Sequence, residues 1–290
     1  MPRVPVIVNP RSGSSRAAED IERLFREAGG QADIRLAEGS PNDLAHAIVR
    51  EKPPLVVAAG GDGTVSAVAS ALVGTQIPLA VLPVGTLNHF ARDIGVPEDA
   101  AAAVRIALAG KTRAIDVGEV NGRVFINNSS VGLYPAMVHR REKQQRRLGR
   151  GKWSAMLWAM QAVLRHHPFL DLTLTLDGEE HHRRTPFVFI GNNVYQMEGF
   201  TIGLRERLDA GTLCVYIAHR GGRLGLLLLA LRALVGTLFT SKDFEATTVS
   251  RLRIEGRHTR LLVATDGEVD AMDLPLVFRI RPQALRVMVP

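Results

Sequence analysis

Residues 56–72, VVAAGGDGTVSAVASAL, read as a buried strand, a glycine-rich turn and a helix. The apolar run VVAA is unbroken rather than alternating, which suits a strand covered on both faces. Its neighbours repeat the pattern. An apolar run at Val4–Val8 precedes NPRSGSS. Helical spacing follows at Ala18, Ile21, Leu24, Phe25 and Ala28, ended by Gly29-Gly30. A short strand (ADIRLA), a helix from about Asn42 to Arg50, a strand IPLAVLP, a loop with a short helix (VGTLNHFARDIGVP) and a further helix (EDAAAAVRIALAG) come next. This β-α-β order predicts a parallel, doubly wound sheet.

After about Asp116 the text changes. RVFINNSSVG, FLDLTLTLDGEEHHRRTPFVFIGN, TLCVYIA and LRIEGRHTRLLVATDGEV are β-rich with hairpin turns, and LDLTLTL alternates strictly, as a half-buried antiparallel strand does. The expected organisation is an α/β N-terminal domain over residues 1–118 and a mainly antiparallel β domain over 119–275.

The glycine turn poses a chemical question. Such turns at helix N-termini hold anions, yet Asp62 stands at the centre of this one. Gly60, Gly61 and Gly63 let the backbone approach a ligand closely, and Thr64 is expected to open the helix, as a cap or a phosphate contact. GDGTVS has no G-K-[ST], so it is not a P-loop, and Ser66 stands where the dinucleotide fingerprint has its third glycine. A carboxylate beside a triphosphate repels it unless a cation stands between. Mg²⁺, which favours one or two carboxylates plus phosphates and water, resolves the conflict, so Asp62 predicts a Mg-nucleotide.

Three further stretches carry chemistry. In VNPRSGSS, Asn9, Ser12 and Gly13 sit at a strand end before a helix, where backbone amides can face a phosphate. In PVGTLNHFARDIG, Gly85, Thr86 and Asn88 follow a strand and share the carboxyl edge of the sheet with Asp62, where ligands bind in such folds. In ATDGEVD, Asp266 and Glu268 can supply a base or orienting group for an acceptor hydroxyl. The tripeptide Asp-Gly-Glu occurs twice, however. Asp177-Gly178-Glu179 looks like a plain hairpin turn, and Asp266-Gly267-Glu268 can be read the same way.

Composition narrows the surroundings. The segment His139 to Lys152 holds seven Lys/Arg against one Glu, so it accounts for most of the formal net charge of +7. It leads into a helical stripe of Trp153, Met156, Leu157, Met160, Val163 and Leu164, with Trp158 off the stripe. Basic residues beside a Trp-bearing helix suit an anionic membrane surface, reached peripherally through residues 139–153. Nucleic acid is disfavoured: aromatic residues are 5% of the chain and no binding motif appears. Between Arg223 and Arg232 only eight apolar or glycine residues run uninterrupted, short of the roughly 20 a spanning helix needs. The single cysteine, Cys214, and the lack of a long apolar N-terminal run are read as marks of a cytoplasmic protein. An exposed edge strand could pair two copies as a homodimer.

Taken in order, VNPRSG, GGDGTVSAV, LPVGTLNHFARDIGVP, IDVGEVNGRVFINNSSVGL, LRERLDAGTLCV and TDGE resemble the diacylglycerol kinase catalytic-domain family, in particular its bacterial soluble lipid kinases and their sphingosine-kinase relatives. GGDGT alone is shared with NAD kinases; the PVGTLN-FAR element separates the lipid-kinase branch. The resemblance implies an NAD-kinase-like fold and an ATP- and Mg²⁺-dependent kinase of a lipid substrate, with the site between two domains. It implies that Asn9, Ser12, Gly61, Asp62, Gly63, Thr64, Gly85, Thr86 and Asn88 hold the nucleotide. It gives the catalytic role to Asp266 and Glu268, with Asp266 expected to accept or orient the acceptor proton and Glu268 to support it, and returns Leu276 to Pro290 to the first domain. Arg11 and Arg92 are candidates for neutralising developing charge. Two departures stand out: His89 where many members have Asp, and Ala210 where many have the second acid of a structural metal site, leaving Asp209 as the candidate ligand. Two other readings stay open on the sequence: a kinase of a soluble acceptor such as NAD, and a non-catalytic nucleotide- or membrane-binding protein.

Overall fold

The computed structural model describes residues 3–9, 15–132, 169–195, 204–218 and 244–290. The basic, Trp-bearing segment, the Leu-rich segment, Ser12 and Gly13 lie outside them. Among the described residues no helix is long and apolar enough to cross a membrane.

The N-terminal half is a parallel sheet wrapped by helices. β1 (Val4–Val8), β2 (Ala32–Leu36), β3 (Val56–Gly60) and β4 (Leu79–Pro83) alternate with α1 (Ser15–Glu27), α2 (Pro41–Arg50) and α3 (Asp62–Leu72). The strands lie in the order β2-β1-β3-β4, all parallel. β1, β3 and β4 are buried along their whole length, which is why their sequences are apolar runs. α4 (His89–Asp93) and α5 (Ala100–Ala109) follow β4. Ser40 caps α2 by accepting from the Asp43 amide, with Pro41 in the first helical position. Asp99 caps α5 by accepting from the Ala102 amide at 2.8 Å.

The rest is β. β5 (Lys111–Val120), β6 (Arg123–Phe125), β7 (Asn128–Gly132), β8 (Leu170–Leu176), β9 (Glu179–Thr185), β10 (Phe187–Asn192), β11 (Leu213–Ala218), β12 (Phe244–Val249), β13 (Arg251–Gly256), β14 (Arg260–Thr265), β15 (Glu268–Asp273) and β16 (Leu276–Val289) complete the order. An antiparallel sheet runs β12-β11-β10-β7-β14-β15. It packs on the strands around β13, β8 and β16 through Val131, Ile190, Val215 and Val263 on one side and Leu174, Leu252, Phe125 and Phe278 on the other. Phe125 and Phe278 meet edge to face at 6.5 Å.

The two halves share one strand. β16 pairs with β13 at its start and lies beside β4 at its end, through Val287 and Leu79, while β5 follows it along most of its length. The larger sheet is therefore continuous from the parallel strands into the β-rich half. The register of β16 against β5 shifts between Arg281 and Leu285. Gln283 has φ +50° at that shift, and its amide donates to the buried Asp116 carboxylate at 2.8 Å.

Candidate active site

Asn9 at the end of β1 and the loops after β3 and β4 lie at the carboxyl edge of the parallel sheet. α3 begins at Asp62 rather than at Thr64, with Gly61 as its N-cap residue. Thr64 is accordingly buried inside the first turn, where its hydroxyl accepts from Asn9 Nδ2 at 3.3 Å. The glycine turn and the PVGTLN loop touch. A Cβ on Gly85 would lie 2.4 Å from the Gly61 Cα, and one on Gly60 would lie 2.6 Å from the Thr64 side chain. Glycine is required at both positions by contact.

Asn88 is buried and in the left-handed region, with φ +50°. Its Oδ1 accepts from the Gly85 amide at 3.1 Å and its Nδ2 donates to the Gly85 carbonyl at 2.9 Å. Its polar atoms are thus spent on holding the loop that displays Gly85 and exposed Thr86. Asp62 is half-buried, and its Oδ1 accepts from the Phe90 amide at 3.2 Å, tying the glycine turn to α4. Arg92 pairs with Glu98 at the exposed surface.

The Asp266-Gly267-Glu268 turn reaches this edge from the β-rich half. Asp266 and Gly267 have φ +48° and +91°, the paired left-handed conformation of a two-residue hairpin between β14 and β15. The Asp266 carboxylate is enclosed by donors. Ser66 Oγ on α3 donates to Oδ2 at 2.6 Å. The Ile126 amide donates to Oδ2 at 2.8 Å, and the Asn127 and Asn128 amides donate to Oδ1 at 2.8 and 3.1 Å. Burial pushes this carboxyl above the ordinary aspartate value, while Ser66 and the three amides pull against it. Glu268 behaves differently. Its side chain is 66% exposed and pairs with Arg123 at 2.7 Å; Arg123 also contacts Asp270.

A cavity of about 530 Å³ lies between α3, the start of α2 and the Asp266 turn; of the glycine turn only Gly63 lines it, and Asn9, Asp62, Gly85, Thr86 and Asn88 stand outside its lining. Gly63, Ser66, Ala67 and Ser70 of α3 form one wall; their i, i+3, i+4, i+7 spacing puts small residues on a single helix face. Ser40, Asn42 and His46 from the start of α2 form another. Gly122, Arg123 and Val124 line the far side, with Thr265, Asp266, Glu268 and Arg281. The hydroxyl of buried Thr265 has no hydrogen-bond partner among the described residues.

Metal binding divides the two acids named from the sequence. Asp62 keeps one carboxylate oxygen beyond its bond to Phe90, and the described residues hold no cluster of three or more His, Cys, Asp or Glu. That suits a Mg²⁺ arriving with phosphates and water better than a caged resident ion. Asp209 is committed to arginine instead. Arg113 meets it at 3.1 Å and Arg207 at 3.2 Å, and these hold its carboxyl below the usual range. No second acid stands beside it at Ala210, so this position does not suit a divalent ion.

Sequence reasoning overlooked Ser66, the 126–128 amides, Arg123 and the α2 wall. Ser66 lay within reach, since it follows Asp62 by four residues on one helix face. The others come from distant segments of ordinary composition.

The chain joins a parallel α/β domain to an antiparallel β domain, with Ser66, on the helix that follows the GGDGT turn, bonded to Asp266 of the TDGE turn. Two family models match the chain: the diacylglycerol kinase catalytic domain over residues 3–120 and the YegS C-terminal NAD kinase beta sandwich-like domain over residues 129–289. The chain belongs to this family of diacylglycerol and lipid kinases. It is 30% identical over 305 residues to a diacylglycerol kinase of Mycobacterium tuberculosis (strain H37Rv), covering 99% of this chain and 95% of that one. A crystal structure of a diacylglycerol kinase from Bacillus anthracis shares the fold, with a TM-score of 0.71, 21% identity and coverage of 99% and 97%. Yeast NADH kinase, solved with NADH, shares it more loosely, with a TM-score of 0.55, 13% identity and coverage of 99% and 83%.

Proposed function

We propose that this chain is a Mg-ATP-dependent kinase that transfers the γ-phosphoryl group to a lipid hydroxyl in the cleft between α3 and the β14–β15 turn. One observation carries the reading. The 2.6 Å bond from Ser66 to Asp266 joins residues 200 positions apart, and it brings Glu268 to the cavity walled by the GGDGTVS helix.

The roles follow from position. Gly61, Gly63 and the start of α3 offer backbone amides to phosphate oxygens, on a turn kept open by the contact with Gly85. Mg²⁺ bound between Asp62 and the phosphates would neutralise charge developing in the transfer. Arg123 and Arg281 line the same cavity and add positive charge there. Glu268, free of backbone hydrogen-bond duty, is the group that accepts the proton of the acceptor hydroxyl. Asp266, expected from the sequence to be the proton acceptor, is enclosed by four donors and in this reading instead holds the turn that presents Glu268. Phosphoryl transfer depends mainly on alignment and electrostatics, so this division of labour between one positioned acid and one proton acceptor suffices.

The basic segment 139–153 would bring the protein to an anionic bilayer where such an acceptor resides. The test is to incubate purified protein with Mg-ATP and a whole-lipid extract in mixed micelles and identify phosphorylated products by mass spectrometry. New phospholipid masses that require both Mg²⁺ and ATP are the expected result. Phosphorylation of NAD with no lipid product would overturn the lipid assignment, and ATP binding without any transfer would overturn the kinase.

A further inference from the structure

The buried ion pair of Asp93 and Arg205 lies outside the cavity lining, yet its contacts lead through α4 to Asp62 and through residues 126–128 to Asp266. The Arg205 side chain is 0% exposed and that of Asp93 4%. All five guanidinium N–H groups are used. Nε and Nη2 donate to Asp93 Oδ2 at 2.9 and 2.6 Å. Nη1 donates to the Ile126 carbonyl at 2.6 Å and to the Asn192 carbonyl at 3.0 Å. Nη2 also donates to Asn127 Oδ1 at 3.0 Å. The guanidinium carbon stands 5.4 Å from the centre of the Tyr195 ring, and the Tyr195 hydroxyl donates to the Asn127 carbonyl at 2.9 Å.

Residues 126–128 are therefore gripped from both sides. The carbonyls of Ile126 and Asn127 and the Asn127 side chain face Arg205, Asn192 and Tyr195, while the amides of 126, 127 and 128 face Asp266. At the other end, Asp93 terminates α4, and the first-turn amide of that helix, on Phe90, holds Asp62.

We infer that Asp93 and Arg205 are positioning residues: the pair fixes α4 against the 126–128 loop and so sets the distance between Asp62 and the Asp266-Gly267-Glu268 turn. This rests on the reading of the cleft as a phosphoryl-transfer site. Stability alone is a weak reason for such a pair, because apolar residues of similar volume commonly serve a buried position as well. The five-donor fork supplies geometry, which a point charge on a lysine cannot reproduce.

The experiment compares wild type, Arg205→Lys and Asp93→Asn, with Arg205→Met added where it folds. Two readouts are taken: kcat and KM for Mg-ATP, and amide hydrogen exchange resolved over residues 86–95 and 124–130. The pair as a positioning device predicts that Arg205→Lys lowers kcat at least tenfold with KM within twofold, and that exchange rises in both segments while β1–β4 stay protected. Unchanged kcat, exchange rising in one segment or in neither, or exchange rising throughout the molecule would overturn it. If wild type transfers no phosphate to any lipid, the kinase reading fails, and the exchange data still judge the pair by themselves.

Discussion

The chain uses Asp-Gly-Glu twice, and the two copies adopt the same backbone. Asp177 and Gly178 have φ +46° and +100°, and Asp266 and Gly267 have +48° and +91°; each pair turns one antiparallel strand into the next. In both, the aspartate carboxylate gathers donors from elsewhere in the chain. Asp177 accepts from the Ser250 amide and hydroxyl and from the Arg251 amide, at an exposed site. Asp266 accepts from Ser66 and three consecutive amides at the wall of a cavity. Local sequence thus specifies a hairpin with an anchored aspartate, and only the surroundings decide whether the following glutamate faces solvent or a site. Glu179 leads into β9, the edge of the larger sheet; Glu268 lines the cavity.

The largest contrast is expected at the glutamates. Glu268→Gln should lower kcat by about 10²–10⁴-fold, the usual scale for a positioned general base, with little change in melting temperature because the side chain is mostly exposed. Glu179→Gln should change neither. Steady-state kinetics and thermal melts of the two variants side by side check this. At the aspartates, Asp266→Asn should cost roughly 10²-fold in kcat through misplacement of the turn. It should also cost about 1–3 kcal/mol of stability, since an amide cannot accept from all four donors. Asp177→Asn should keep kcat within twofold and lose about 1 kcal/mol or less, as read by denaturant unfolding.

A smaller effect separates the acids by metal dependence. Asp62→Asn should weaken Mg-ATP binding by at least about tenfold, or 1.4 kcal/mol, and leave binding in EDTA unaltered, as measured by titration calorimetry. Asp209→Asn, which breaks only arginine pairs, should show no Mg²⁺-dependent difference. The smallest effect is in pH. Hydrogen bonds from Ser250 and Arg251 outweigh burial and hold the Asp177 carboxyl below its usual value. Its stabilisation is then present above the ordinary aspartate range and fades as pH falls through the depressed value. Asp266 is shifted upward by burial, so its contribution is greatest below the ordinary range and declines as pH rises through the raised value. The stability gap between wild type and Asp177→Asn should widen with pH, and that between wild type and Asp266→Asn should narrow.

The α/β-then-β order and the strand–turn–helix junction at Asp62 were legible because period and burial coincide there: β1, β3 and β4 are apolar runs buried throughout. Both Asp-Gly turns were legible for the same local reason. What sets the later copy apart came only from the family resemblance and not from local pattern, since its surroundings, Ser66 and residues 126–128, reach Asp266 through tertiary packing. Thr64 and Asn88 show the opposite limit. Their residue types suit a phosphate contact, yet one is buried within the first helical turn and the other is folded back onto Gly85. The Asp93–Arg205 pair had no local signature, because its partners come from α4, the 126–128 loop and the stretch before β11.

The most direct test is transfer of radiolabelled γ-phosphate from Mg-ATP to a whole-lipid extract by wild type, Asp177→Asn and Glu268→Gln in parallel. Labelled lipid from the first two and none above background from the third is the expected result. Equal labelling by Glu268→Gln, or no labelled lipid from wild type, would contradict the assignment of this cleft.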